Sequence, residues 1–488
     1  MGAGVGGGLL MRLLRAVQHF VWSYRAGEFV YGVEGASPGR RVIVLIAAGI
    51  LAGLARKILR YATGGHGGEV SEAIWFRSGR FPAIRTLSRA VLSIVLVGLG
   101  ASVGREGAPK QAGAVIASKL ADWERLSASQ RRVLAACGAG AGMAAVYNVP
   151  LGGALFALEV LLGTLALPLV LPALATSMVA TAVSWTIMAP RTTYLIPSYH
   201  ISQSQIVWAA IAGPLAGIAA SLYVRLIGWA DRRKPSGWRT IASPIVVFAL
   251  LGVAAIAYPQ LLGNGKDVVQ ATYVNQLPFA ILGVLFVLKP LATAGCLGSG
   301  APGGLFTPTL TYGALFGALL GQGWRLIWPG AQPATYAIIG SGAVLAATTE
   351  GPVSSVVLLL ELTHRIDVLM VPLMLAVAGA TLTGRLLDTR SIYSARIRLG
   401  EEAAVAEAPS KPVGRMKASC GNDLVSSSAR YSLVVQRMLA QGDNSSLRVV
   451  DDEGKVIGEI HMGDVAHPDA SIAPIETATA GDLIRTPA

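Results

Sequence analysis

Gly138-Ala-Gly-Ala-Gly-Met-Ala-Ala145, followed by Pro150 and Glu159, returns later in the chain as Gly340-Ser-Gly-Ala-Val-Leu-Ala-Ala347, followed by Pro352 and Glu361. Each matched position lies 202 residues from its counterpart (340 − 138). Upstream, Gly107-Ala108-Pro109 has a counterpart in Gly300-Ala301-Pro302. A repeat on this scale means two copies of one structural unit, packed so that each covers what the other leaves exposed.

The composition says where such a unit lives. Of 488 residues, 53% are hydrophobic and only 14% charged, with a mean hydropathy of +0.56. A soluble protein of this length needs far more charge to cover its surface, so the chain reads as a polytopic membrane protein. Its candidate apolar segments run from 42–58 to 368–387, and several fall short of the ~20 residues that cross a bilayer straight. Short pieces are tolerated at membrane depth only where their ends are buried in protein or line a cavity. The 58 glycines and 25 prolines fit helices that pack closely and break. The expected fold is an all-α inverted-repeat bundle of broken helices, with halves at about 41–190 and 205–390, plus a small α/β tail. Gly/Pro-broken segments at matching places in two halves are how secondary transporters build an ion site at the repeat interface.

Charge is uneven along the chain. Residues 1–400 carry 32 Lys/Arg against 14 Asp/Glu, whereas 401–488 carry 8 against 13. The basic loops at Arg131-Arg132 and at Arg232-Arg233-Lys234 with Arg239 flank four apolar segments, which places both on one side, the cytoplasm by the positive-inside rule. The basic balance also favours anions near a pore mouth. Cys137, Cys296 and Cys420 match no metal or redox spacing, so neither a metal nor a cofactor is expected. Residues 9–23, with two arginines, read as a short amphipathic first helix within a lead-in of 1–40. Residues 401–412 read as a linker, and 413–488 as a soluble α/β unit. That unit has a helix at Tyr431–Gln441, strands at Ser446–Val450 and Val456–His461, and a turn at Asp452-Glu-Gly454.

Chemistry concentrates in two glycine motifs. Gly104-Arg105-Glu106-Gly107-Ala108-Pro109 joins two apolar segments. A lone carboxylate at membrane depth costs ~2.5–3.5 kcal/mol or more, so Glu106 is a functional candidate by default. Pro109 suits the first turn of a helix, and a helix N-terminus offers free N–H groups and partial positive charge to an anion. A carboxylate placed there occupies the anion position itself and leaves when protonated. The second copy, Gly300-Ala-Pro-Gly-Gly304-Leu305-Phe306-Thr307-Pro308, lacks the acid and leaves the amides of Leu305 and Phe306 for an anion.

These two motifs, with Tyr393 in Ser391-Ile-Tyr-Ser394, resemble the CLC family of chloride channels and proton-coupled chloride antiporters over approximately residues 40–400. The resemblance implies a homodimer in the inner (plasma) membrane, one pore per subunit, a cytoplasmic tail, and chloride or a similar small anion as cargo. Glu106 is similar to the family's gating glutamate, and Arg105 and Gly107 beside it are expected anion-binding positions; Leu305 and Phe306 match the family's amide donors to the anion, and Tyr393 its central tyrosine. The strand-turn-strand at 446–465 resembles a CBS domain, but His461-Met-Gly-Asp464 replaces the family's ribose-binding Ser/Thr-x-x-Asp, which speaks against nucleotide binding by the tail. No nucleic-acid partner is implied.

Two positions depart from the family. Gly65, in Gly64-Gly-His66-Gly-Gly-Glu69, stands where the family has an anion-binding serine, so a hydroxyl ligand is absent and backbone N–H groups remain. His66 is open to two readings, a pH-sensitive group at the pore mouth or an incidental loop histidine. Val160 stands where antiporters of the family carry a second, internal glutamate that relays the proton. Glu159, one position earlier, points ~100° away on a helix, and its repeat partner Glu361 suggests a shared structural role such as accepting hydrogen bonds from a helix end. Lys110, one turn after Glu106, either pairs with that carboxylate and adds positive potential to the path, or faces a water-filled vestibule. The expected function is chloride transport gated by Glu106, channel-like or weakly proton-coupled. Chloride/proton antiport is the alternative, and a CBS-linked sensor with a degenerate pore is the rival from another class. A fluoride exporter is disfavoured, because residues 64–69 lack the Asn-containing motif of that branch. A membrane enzyme is disfavoured by the absence of a nucleophile, metal or paired-carboxylate constellation.

Overall fold

The computed structural model describes residues 1–24, 27–63, 69–190, 192–197, 202–329, 332–364 and 366–396, with tail stretches at 424–427, 446–451 and 456–461 and a few single tail positions. The first half contains α1 (Gly2–Trp22), α2 (Phe29–Gly35), α3 (Pro38–Thr63), α4 (Val70–Phe76), α5 (Ala83–Gly98), α6 (Gly107–Trp123), α7 (Ala128–Tyr147), α8 (Pro150–Leu155) and α9 (Leu167–Ser184). Helix α8 runs on as a π-helical stretch, Phe156–Leu162. The second half contains α10 (Gln203–Arg232), α11 (Arg239–Ala257), α12 (Lys266–Tyr273), α13 (Phe279–Gly298), α14 (Phe306–Ile327), α15 (Pro333–Thr349), α16 (Pro352–Thr363) and α17 (Ile366–Leu386). Among the described residues six helices, α3, α9, α10, α11, α13 and α17, are long and apolar enough to cross a membrane.

The repeat in the sequence is a repeat in packing. Helix α6 lies on α7 as α14 lies on α15, α7 on α9 as α15 on α17, and α1 on α9 as α10 on α17. Between the halves, α3 runs along α11, and α8 meets α16. The recurring glycines are the points of closest approach. A Cβ on Gly138 or on Gly113 would run into the other's backbone carbonyl, and Gly340 meets Gly313 and Gly317 in the same way. Small residues are what allow helix backbones to come this close in a membrane. Gly138→Leu is therefore expected to abolish folded protein, seen as loss of the monodisperse peak on size exclusion. Gly323→Ala, where an added Cβ meets nothing within 4 Å, should elute unchanged.

Helix α1 begins seven residues earlier than the sequence suggests. The run Gly2–Gly8 has poor helix propensity, but Gly4 packs against the Ala180 carbonyl, Gly7 against Val146 and Gly8 against Ile187. Tertiary contact outweighs propensity here. In the tail, β1 (Leu424–Ser426) pairs parallel to β2 (Ser446–Val450), which pairs antiparallel to β3 (Val456–His461), with an irregularity at Val449/Val450. Leu447 and Val449 are buried while Arg448 between them is exposed, the period of two that makes such a strand readable. The linker at 401–412, the tail helix at Tyr431–Gln441 and the turn at Asp452–Gly454 lie outside the described residues, apart from the single position 434.

Candidate anion site

The two glycine motifs meet. Gly104 N–H donates to the Gly304 carbonyl and Gly304 N–H to the Gly104 carbonyl, both at 2.8 Å. This two-residue bridge brings the start of α6 against the start of α14 at the seam of the halves. Glu106, the residue preceding α6, is fully buried. Its Oε1 accepts the Phe306 N–H at 2.6 Å, and its Oε2 accepts from the Thr307 hydroxyl at 3.2 Å and the Tyr147 hydroxyl at 3.3 Å. The Tyr147 and Thr307 hydroxyls are themselves 2.6 Å apart. A Cβ on Gly104 or Gly304 would intrude on the carboxylate, so both positions require glycine for steric reasons. The carboxylate thus fills a cradle of one helix-terminal amide and two hydroxyls, the donor set that a small anion would use.

The cradle has a cavity on each side. One, of about 530 Å³, is bordered by Arg15, Arg105, Lys266, Glu28, Asp267 and Asn148. The Arg105 guanidinium lies 5.1 Å from the centroid of the Tyr147 ring, a cation–π contact at the mouth of the cradle. The other, of about 30 Å³, is lined in part by Gly107, Lys110, Leu305, Tyr393 and Arg396. Here Lys110 is 5% exposed, with Nζ 3.5 Å from the Tyr393 hydroxyl and 4.9 Å from the centroids of both Phe156 and Tyr393. Among the described residues its ammonium makes no ion pair. Arg396 bonds Glu69 at 3.0 Å and Asp231 at 3.1 Å, and Asp231 is also held by Lys234 at 2.6 Å. Gly65 and His66 lie outside the described residues.

A family model described as voltage-gated chloride channel matches residues 42–385. The chain belongs to that family, the CLC proteins. It is 34% identical over 366 residues to a ClcB-like protein of Ralstonia nicotianae, covering 72% of this chain and 84% of the relative. It is 31% identical over 392 residues to the voltage-gated ClC-type chloride channel ClcB of Salmonella typhi, covering 78% and 93%. Two solved structures share its fold. A slow cyanobacterial Cl⁻/H⁺ antiporter superposes with a TM-score of 0.72 at 22% identity, covering 83% of this chain and 96% of the antiporter. A CLC-type fluoride/proton antiporter gives 0.65 at 20% identity, covering 81% and 94%.

The CLC match contains both glycine motifs and the helices that carry Glu159 and Glu361, while Tyr393 and the tail lie beyond it. Glu159 Oε1 accepts the Val353 N–H at 3.0 Å and Oε2 the Ser354 N–H at 2.5 Å, at the first turn of α16. Glu361 does the same for α8, accepting from Leu151 at 3.1 Å and Gly152 at 2.6 Å. Each half's acid caps the other half's helix, using the positive end of the helix dipole. Val160 is buried beside them and brings no titratable group.

Tyr147 and Thr307 escaped the sequence reading. A signal for Thr307 exists, because it follows Phe306 directly within the glycine motif. Tyr147 stands only three residues before Pro150, but its counterpart 202 positions on is Thr349 (349 − 147), so the repeat did not mark it.

Proposed function

We propose that this CLC chain carries chloride across the plasma membrane through the passage in which Glu106 sits, with Glu106 as its protonatable gate. The observation that carries this reading is the Glu106 carboxylate itself, buried and filling an anion cradle at the start of α14. Charged, it competes with chloride for the Phe306 amide; neutral, it loses most of its attraction to that amide and leaves the cradle to the anion. Backbone N–H groups of Leu305 and Phe306 and the Tyr393 hydroxyl complete the anion path. The larger cavity, with Arg15, Arg105 and Lys266, serves as the outer vestibule that concentrates anions. The basic loop at 232–234 and Arg396 belong to the cytoplasmic side, where the CBS-like tail also lies. The working unit is a homodimer with one pore per subunit.

Transport is channel-like or weakly proton-coupled in this reading, because Val160 stands where a proton relay needs an acid. Chloride/proton antiport is the second reading, favoured by Lys110, a titratable side chain buried one turn below Glu106. Chloride and proton fluxes recorded together from purified protein in liposomes separate the two, and absence of chloride flux would sink both.

The cradle's hydroxyls hold the gate in place, Thr307 at 3.2 Å and Tyr147 at 3.3 Å from the carboxylate. Thr307→Val removes one such bond, worth ~1.5 kcal/mol to a charged group, so chloride flux at neutral pH should rise by about tenfold. Unchanged flux in liposomes would mean that this hydroxyl does not hold the gate.

A further inference from the structure

Among the described residues, Lys110 is a charged group beside the cradle that the gate mechanism leaves unused. It lies on the first turn of α6, one turn on from Glu106, and its ammonium makes no ion pair with that carboxylate but lies against the rings of Phe156 and Tyr393. The acids whose fields reach it are Glu106 and Glu69. Glu69 is already engaged by Arg396 and Arg89 at 3.0 and 3.7 Å, and Glu106 by the Phe306 amide and two hydroxyls. A buried ammonium is costly without a counter-charge, and aromatic faces meet only part of that need. While Glu106 is charged, the pair is neutral in sum. Once Glu106 is protonated, the positive charge of Lys110 is left uncompensated beside a cavity that has room for a water-sized particle and is also lined by Tyr393, Gly107 and Leu305.

We propose that Lys110 is the fixed counter-charge of the transported anion, binding a monovalent anion between its ammonium and the Tyr393 hydroxyl in the 30 Å³ cavity. The inference rests on the reading of Glu106 as the gate of an anion path and adds the group that holds the anion below it. An ammonium is a compact point charge with three donors and no directional fork, so it recognises the anion's charge more than its shape. Halides and nitrate should bind with similar affinity.

The test is chloride, bromide and nitrate titration of the purified full-length protein in detergent, by calorimetry and by the anion-dependent rise in melting temperature, which follows occupancy. Lys110→Met is expected to weaken binding of all three anions by about tenfold or more, the worth of one charge-assisted hydrogen bond. Lys110→Arg, which keeps the charge, should bind more tightly than Lys110→Met. A packing defect would instead weaken the larger anions selectively, and that pattern overturns the proposal. So does unchanged chloride affinity in Lys110→Met. Should Lys110→Met not fold, Lys110→Gln takes its place in the same titrations, with the same two outcomes. Chloride flux of the wild type, measured in parallel, separates the failures: flux with unaltered binding in the variant removes only the role of Lys110, whereas no wild-type flux removes the anion path itself.

Discussion

Replacing Glu106 with glutamine is expected to leave chloride flux intact and nearly independent of pH. Glutamine has the length of glutamate but carries no negative charge, so it competes poorly with chloride for the Phe306 amide, which the carboxylate now occupies at 2.6 Å. The amide's NH2 can still donate to the Thr307 and Tyr147 hydroxyls, so the cradle stays hydrogen-bonded. In the wild type, flux should climb as pH falls, because only protonation takes the charge off Glu106 and lets the anion in. In Glu106→Gln that step is absent at every pH, and flux at neutral pH should match or exceed the acid-pH flux of the wild type. Chloride efflux from liposomes over a series of pH values reads both curves. A variant that keeps the wild-type pH response would show that the gate lies elsewhere.

A chloride gradient across proteoliposomes is expected to drive little uphill proton movement. A proton that reaches Glu106 needs a second titratable stop on its way to the other side, and the position proposed for it holds Val160, buried and aliphatic. Glu159 is next in sequence, but the Val353 and Ser354 amides hold its carboxylate at 3.0 and 2.5 Å. Freeing it would uncap α16 and break two charge-assisted bonds, each worth ~1.5–3 kcal/mol. Proton pumping at a fixed ratio to chloride would overturn the channel-like reading. Loss of that pumping in Lys110→Met, with Glu159→Gln still pumping, would then assign the relay to Lys110.

The parts of this fold that were legible in the sequence are those written as local pattern. The repeat at Gly138 and Gly340 announced two packed halves because close helix crossings accept only small residues. The motifs at 104–109 and 300–308 announced two helix starts because Gly and Pro carry backbone instructions. Strands β2 and β3 could be bounded from alternation alone. What remained hidden depends on which segments meet. The start of α1 was obscured because a glycine run reads as a poor helix until its neighbours are known. The cradle of Glu106 draws Tyr147 from the end of α7 and Thr307 from the start of α14, 160 residues apart, and no spacing rule links them. Lys110 was placed on the right turn, but helix phase does not set the direction of a long side chain, and the aromatic pair that receives it comes from distant segments.

The reciprocal caps and the glycine bridge also bear on how such a protein can move. Four carboxylate–amide bonds tie α8 and its π-helical continuation to α16, and two backbone bonds tie residue 104 to residue 304. Both sets join one half to the other. Rocking of one half against the other, the movement by which many inverted-repeat transporters expose their site alternately, would break all six together. In the proposed gating mechanism the seam acts as a girder, and what swings is a single side chain on a fixed frame. Side-chain rotation is intrinsically a picosecond-to-nanosecond event, against microseconds to milliseconds for domains. The pace of turnover is then governed by how firmly the cradle grips the carboxylate, which makes throughput tunable by single hydroxyls with the scaffold left untouched.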